Sequence, residues 1–510
     1  MNDPANPTAA DALEIARLAT LPMLQYDRER KPVAVKMGVT VASLDREVNH
    51  ARESAKFNRS DADRPPEYSD DGLALRFTER HRHELRYVAA WGKWLIRRAA
   101  IWQADDTVHT FEKARAICRA AAAACDNLPI AQAIASNRTV AAVERLARGD
   151  RNHAATADQW DADPWLLNTP GGVIDLRTGT LRDHRADDYM TKITAVAPGE
   201  GCPLWIEFLT KITGSDADLI AFLQRAAGYA LTGITTEHAL FFGYGTGGNG
   251  KGTFLNTLQA IMGNYAATAE MDTFTASQGE RHTADVAMLR GARLVTAQET
   301  EEGRRWAESR IKALTGGDPI TAHFMRQDYF TYVPQFKLFI AGNHKPGLRN
   351  VDEAIRRRLH LIPFAVKIPA DERDPRLADK LRAEWPGILA WAIEGCRCWR
   401  RGGLAAPKVV TEATDGYLEA EDTIGQWITD CCALKADEWT ASSVLFASWK
   451  HWAELAGEYV LPLKRFGQAL EARGLAYDRQ GGKGRGYLGI RLTSLPRVPD
   501  GPPPGQFPDL

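Results

Sequence analysis

At 510 residues the chain is long enough to form two or more domains with substantial cores. Its 64 Lys plus Arg against 65 Asp plus Glu exclude overall basicity as a means of holding nucleic acid, so any such partner must be met by local basic patches. Seven cysteines, an odd number with no C-x-x-C pair, argue against a zinc ribbon or a disulfide scaffold and fit reduced thiols in a cytoplasm.

The opening "MNDPANPTAADALEIARLATL" has no basic leader, and no stretch reaches the apolar length of a membrane helix, which reads as a soluble cytoplasmic protein. Residues 27–56 predict two short helices broken near Gly38, with Thr40 to Ser43 able to cap the second. From about 70 to 155 the text is helical and alanine-rich, and "ERHRHELRYVAAWGKWLIRR" (79–98) reads as an amphipathic helix with a solvated face. Turn signals at Pro170-Gly171-Gly172 and Thr178-Gly179 around "VIDL" predict a short hairpin.

Over 200–375, "ALFFGYG", "ARLVTAQE", "FKLFIAGN" and "LHLIPFAV" read as strands alternating with helical stretches. That alternation argues for a largely parallel sheet covered on both faces. "CRCWRRGGLAAPK" (396–408) reads as a boundary. Residues 415–492 then read as helices followed by a Gly-rich basic hairpin, and the last residues as a flexible tail.

Within the α/β stretch, "GYGTGGNGKGTF" has the G-x-x-x-x-G-K spacing of a phosphate loop from Gly245 to Lys251. Glycines at 245, 247, 248 and 250 let backbone N–H groups point at phosphate oxygens, the lysine ammonium reaches the terminal phosphates, and the following helix adds its positive end. Gly245, Gly247, Gly248, Asn249, Gly250, Lys251, Gly252, Thr253 and Phe254 are the expected ATP-binding set. Position 252 usually carries the hydroxyl that binds Mg²⁺; with Gly252 there, Thr253 is the nearest candidate, helped by water and carboxylates.

An NTPase also needs an acid at the end of a neighbouring strand. "RLVTAQETEE" offers Glu299 for the metal and the attacking water, with Glu301 in reserve; the alternative is a solvated acidic face. Asn343, after "FKLFIAG", can hold that water or sense the γ-phosphate. Arg356, Arg357 and Arg358 can stabilise transition-state charge on a neighbouring subunit's nucleotide, or form a surface ion-pair or DNA patch.

As a set, "GYGTGGNGKGTF", the segment "VTAQETEEGRRWAESR" through "FKLFIAGNHKP", and "AIRRRLHLIPF" resemble the superfamily 3 helicases of phage and plasmid primases, relatives of the poxvirus primase-helicase. The likeness continues through "WDADPWLLNTPGGVIDLRTGTLRDH", "LQRAAGYALTG" and "GRGYLGIRL", so it spans most of the chain. It implies a multidomain α/β protein: a helical N-terminal region, an AAA+-like P-loop ATPase core with a parallel sheet, and a C-terminal winged helix. The expected divisions are a helical connector (1–60), a mostly helical domain (61–200), the ATPase (201–375), a helical linker (376–414), a winged-helix-like DNA-binding domain (415–495) and a tail (496–510).

The function it implies is an ATP-dependent DNA helicase of phage, prophage or plasmid replication in a bacterial host. It would form a homo-oligomeric ring, a hexamer, moving 3′-to-5′ on single-stranded DNA with ATP and Mg²⁺ as cofactors. The alternative is a nucleotide-gated origin-binding or loading ATPase without processive unwinding. By position, Lys251 and Thr253 bind nucleotide and metal, Glu299 activates water, Asn343 senses the γ-phosphate, and Arg357 or Arg358 is the arginine finger. The stretch "LTGGDPITAHFMRQDYFTYVP" becomes the pore hairpin, with His323, Phe324 and Arg326 facing DNA or the aromatics packed inward. Arg479, Lys483 and Arg485 fall on the wing, which can bind origin duplex DNA or dock a protein. Residues before 60 leave no room for a primase domain, so priming falls to a separate chain or is lost.

Overall fold

Gly38, at φ 68°, separates the helices Met23–Lys36 and Val41–Phe57 in the computed structural model of the chain, which describes residues 9–57, 64–276, 284–299, 303–324, 328–348, 351–480 and 484–493. Two units are distinguishable, Met1–Ile96 with Ala104–Thr156 and Arg97–Gln103 with Ala157–Leu510. The 496–510 tail lies outside the described residues. Among those that are described, no helix is long and apolar enough to cross a membrane.

In the first unit, Thr40 caps the helix that follows it by accepting the Ser43 N–H at 3.1 Å, as its sequence position predicts. With Ala9–Ala19, these helices bury Leu18, Ala34, Leu44 and Val48 together. The expected helix over 79–98 is a correction. Helix Asp70–His81 ends, and Leu85–Val88 pairs antiparallel with Lys93–Arg98 across a tight turn whose Gly92 sits at φ 62°. The physical reason is local: Gly92 supplies a left-handed turn residue, and "LRYV" and "KWLI" are rich in aromatic and branched side chains that suit a pleated surface. Trp94, Leu95 and Ile96 are buried there, and Trp94 donates to the Glu144 carboxylate. The alanine-rich stretch does form helices, His109–Ala123, Leu128–Ile134 and Asn137–Ala147, which pack on Leu73, Phe77 and Leu85.

The second unit opens with a three-strand meander, Leu166–Thr169, Gly172–Asp175 and Thr180–Arg182, one strand more than the expected hairpin. Its main sheet has five strands: β1 (Leu240–Tyr244), β2 (Ala266–Thr268), β3 (Leu294–Glu299), β4 (Lys337–Gly342) and β5 (Leu359–Pro363). They lie in the order β5-β1-β4-β3-β2, every pairing parallel. Every residue of β4 is buried, as a central strand covered on both faces requires. Four of the five strands coincide with the apolar runs read from sequence, and β2 is additional.

Helices α1 (Pro203–Ile212), α2 (Ala217–Leu231), α3 (Lys251–Met262), α4 (Leu377–Gly402) and α5 (Lys408–Glu421) pack against this sheet or each other. The stretch expected as a linker over 376–414 is instead a core element. Leu381, Ile388, Leu389, Ala392, Cys396 and Trp399 of α4 are buried, and α4 crosses α2 so closely that a Cβ on Gly228 would stand 2.0 Å from the Cys396 nitrogen. Within the stretch expected as a boundary near 396–408, α4 stops at Gly403, φ 67°, and the same core continues through Leu404 and Val410.

His360 of β5 lies against the rings of Phe222 and Phe241 at 5.8 and 5.4 Å between centroids. Burial pushes its imidazole down to about 4. The unfolded chain therefore takes up a proton near pH 6.5 that the folded chain refuses, so this contribution is complete above pH 6.5 and is lost as pH falls towards 4. The loss amounts to at most about 3 kcal/mol. Thermal melts between pH 7.5 and 5 are expected to show a falling midpoint, with a shallower fall in His360→Phe; equal slopes would refute the assignment.

The C-terminal portion places helices Thr423–Cys431, Ser442–Leu455 and Leu463–Glu471 on an antiparallel sheet of Cys432–Ala441, Gly484–Leu492 and Ala476–Gln480, with Gly484–Leu492 in the middle. Trp427, Trp449, Phe466, Leu470 and Ile490 form its core.

Candidate functional site

In a parallel sheet the carboxyl ends of the strands share one edge, and loops leaving that edge converge. Tyr244 of β1 pairs with Gly342 of β4, and Gly342 pairs with Glu299 of β3. The glycine loop after β1, Asn343 after β4, and Glu299 at the end of β3 are therefore brought together by register. They are separated in sequence by up to about a hundred residues.

The loop itself is shaped by close approaches. Gly247, Gly248 and Gly250 have φ of 89°, 66° and 80°. A Cβ on Gly250 would lie 2.5 Å from Ile212 of α1, and one on Gly245 would lie 2.0 Å from the Asn249 amide. Asn249 is 3% exposed and donates through Nδ2 to the Phe364 carbonyl at 3.0 Å, pinning the loop to the chain beyond β5. Gly250 begins α3 without a side-chain cap, leaving the first-turn N–H groups available to an anion.

Lys251 is 7% exposed. Its Nζ donates to the Gly245 carbonyl at 2.6 Å, to Asn249 Oδ1 at 3.2 Å and to Asn343 Oδ1 at 3.3 Å. Burial holds its pKa below the ordinary lysine value. A buried cation is normally paired, yet these partners are neutral and no described carboxylate forms an ion pair with it. The arrangement fits a phosphate: a cationic amine, free helix N–H groups and a loop that side chains would fill.

Gly252 lies in open space, with nothing within 4 Å of a Cβ placed there. Thr253 is half-buried in the first turn of α3. Phe254 is a correction: it is 1% exposed, its ring stacks on Trp205 at 5.6 Å and its N–H donates to the Gly250 carbonyl at 3.0 Å, so it serves the core and the helix. Gln298 is exposed at the same strand end as Glu299, while Glu301 lies outside the described residues.

The three adjacent arginines separate. Arg356 pairs with Asp415 at 3.0 Å. Arg358 is 7% exposed, donates to Thr315 Oγ1 at 3.1 Å and to the Ala354 carbonyl at 2.7 Å, and burial lowers its pKa. It is committed inside its own chain, which corrects its placement as a finger candidate. Arg357 is exposed and forms no ion pair with any described residue.

Of the proposed DNA-facing residues, His323 and Phe324 adjoin a small hairpin, Ile320–Ala322 with Phe330–Tyr332. His323 meets Tyr329 at 4.6 Å between centroids. Phe324 stacks on Phe330 at 5.4 Å and packs against the core, so the inward alternative applies to it. Tyr329, one of the aromatics the inward alternative would bury, is instead 70% exposed. Arg326 and Lys483 lie outside the described residues. Arg479 and Arg485 are exposed and directly opposite each other across two antiparallel strands. Like charges so placed repel unless an anion lies against them.

Residues 74–214 match a family described as D5 N terminal like, and residues 243–358 match a family of unknown function (DUF5906). The chain is 26% identical over 295 residues to "Putative helicase L207/L206" of Acanthamoeba polyphaga mimivirus, covering 53% of this chain and 31% of that protein. It is 24% identical over 257 residues to "Putative helicase 022R" of Frog virus 3 (isolate Goorha), covering 45% and 26%. The chain thus spans about a third or less of the length of the curated relatives it matches. Among solved structures, the apo NrS-1 C terminal region aligns with 10% identity and a TM-score of 0.45, covering 80% of this chain and 96% of that one.

Proposed function

The chain is a relative of the D5-like primase-helicases, and from that premise we propose that it is an ATP-dependent DNA helicase of phage, prophage or plasmid replication, working as a homo-hexameric ring in the bacterial cytoplasm. The observation that carries the reading is the hydrogen bond from Lys251 to Asn343. It joins the loop after β1 to the amide after β4, with Glu299 one strand further along the same edge.

In this reading the loop N–H groups and Lys251 grip the phosphates of ATP, displacing the amine from its neutral partners. Asn343 orients the attacking water beside the γ-phosphate, and Glu299 draws off its proton. Arg357, exposed on one subunit, stabilises charge at the neighbouring subunit's site. Thr253 and Glu299 would hold Mg²⁺, which neutralises phosphate charge when bound. Tyr329, His323 and Arg326 contact single-stranded DNA by stacking and charge, giving 3′-to-5′ movement. The C-terminal portion acts as a winged helix whose Arg479 and Arg485 contact origin duplex DNA.

Strand displacement on a DNA duplex carrying a single-stranded 3′ tail, with ATP and Mg²⁺, tests the reading. Unwinding supports it. ATP-dependent DNA binding without displacement would favour the second reading, a nucleotide-gated origin-loading ATPase, for which the missing hydroxyl at Gly252 is the specific observation.

That glycine yields a further expectation. Since a Cβ at 252 meets nothing within 4 Å, Gly252→Ser is sterically open at its first side-chain atom and improves helix propensity in the first turn of α3. The variant is expected to require several-fold less Mg²⁺ for half-maximal ATP turnover. An unchanged Mg²⁺ titration would show that the hydroxyl is not limiting.

A further inference from the structure

Arg373 lies against the same loop. It follows the short turn Ala370–Glu372 beyond β5, and just upstream the Ile368 N–H donates to the Gly248 carbonyl at 2.9 Å. A Cβ on Gly248 would come within 2.4 Å of an η nitrogen of Arg373, so the guanidinium rests directly on the loop backbone. Its Nε donates to the Ile368 carbonyl at 3.0 Å, which fixes the plane of the group.

In sequence, "DERDP" looks self-neutralising, because Glu372 and Asp374 flank the arginine. The structure directs those carboxylates elsewhere. Glu372 pairs with Lys211 at 2.7 Å and Asp374 pairs with Lys380 at 2.6 Å. Arg373 is exposed and forms no ion pair with any described residue. The Lys211 pair also ties the turn to α1, the helix whose Ile212 and Phe208 pack on Gly250. Loop and turn are thereby anchored to one element, with an uncommitted guanidinium edge between them and solvent.

A guanidinium offers planar paired donors that match phosphate oxygens and stays charged at any working pH. We propose that Arg373 is a second phosphate-binding residue of the site, supplied by the same chain and covering the solvent side of the phosphates opposite Lys251. The inference rests on the reading of this loop as an ATP site. It adds a cation from outside the loop, the strand ends and the neighbouring subunit.

Isothermal titration of the full chain with ATP, ADP and AMP in Mg²⁺ tests it, using wild type, Arg373→Ala, Arg373→Lys and Lys251→Ala. Arg373→Ala is expected to weaken ATP binding about tenfold, to leave AMP binding unchanged, and to keep the wild-type melting temperature without nucleotide. Arg373→Lys recovers part of the loss, and the defect shrinks as salt is raised. Arg373→Ala with wild-type ATP affinity, while Lys251→Ala loses it, overturns this inference alone. Equal weakening of ATP and AMP would mean a distorted loop and also overturns it. A wild-type chain that binds no ATP overturns both this inference and the reading beneath it.

Discussion

Lys251→Ala is expected to lower ATP turnover by at least about 10²–10³-fold, the range found when a preorganised charged or polar donor is removed from a reacting centre. The expectation follows from where the amine sits. It is buried, it is bound only to neutral oxygens from Gly245, Asn249 and Asn343, and it stands at the first turn of α3 where phosphates would lie. Truncation should leave the loop in place, because Asn249 still holds the Phe364 carbonyl and Gly250 still packs on Ile212. A melting temperature near that of wild type, measured alongside turnover, separates loss of chemistry from loss of fold. Retained turnover in a folded Lys251→Ala protein would remove the site from contention.

The second large effect belongs to Arg357. An arginine supplied to a neighbour's nucleotide contributes about 10³–10⁵-fold to hydrolysis, so Arg357→Ala should lose most turnover while keeping ATP affinity and thermal stability. Arg358→Ala should behave differently. It removes donors to Thr315 and Ala354 from a buried position, at about 1–3 kcal/mol for the groups left unpaired, and appears first as a lower melting temperature. Mixing provides the sharper check. In a mixed ring, a Lys251→Ala subunit still offers its arginine to the intact loop of an Arg357→Ala subunit, so the mixture should regain turnover that neither variant has alone. Absence of that recovery, or full activity in Arg357→Ala alone, would exclude a shared site.

Much of this site is legible in the sequence because its parts carry strong local signals. The glycine spacing before Lys251, and the apolar runs before Glu299 and Asn343, mark three strand ends, and a parallel sheet brings such ends to one edge. What the sequence hides is what depends on packing. Arg357 and Arg358 are neighbours of one type, and only the turn of chain into β5 buries one and exposes the other. Phe254 sits inside the motif but faces Trp205 because the helix turns it inward. β2, with only Ala266–Thr268, is too short and its side chains too small for a hydrophobic run to announce it. The helix expected over 79–98 failed for another reason: its charges suit a helical face, while Gly92 and the alternating aromatics of "LRYV" and "KWLI" favour a hairpin. Arg373 was masked by its acidic neighbours, whose true partners, Lys211 and Lys380, only the fold reveals.

The most direct test of the central claim is ATP hydrolysis by the purified chain in Mg²⁺, with and without single-stranded DNA, beside Lys251→Ala. The account predicts turnover that DNA stimulates and that the variant lacks. Hydrolysis by the wild type no faster than by Lys251→Ala, under either condition, would contradict it.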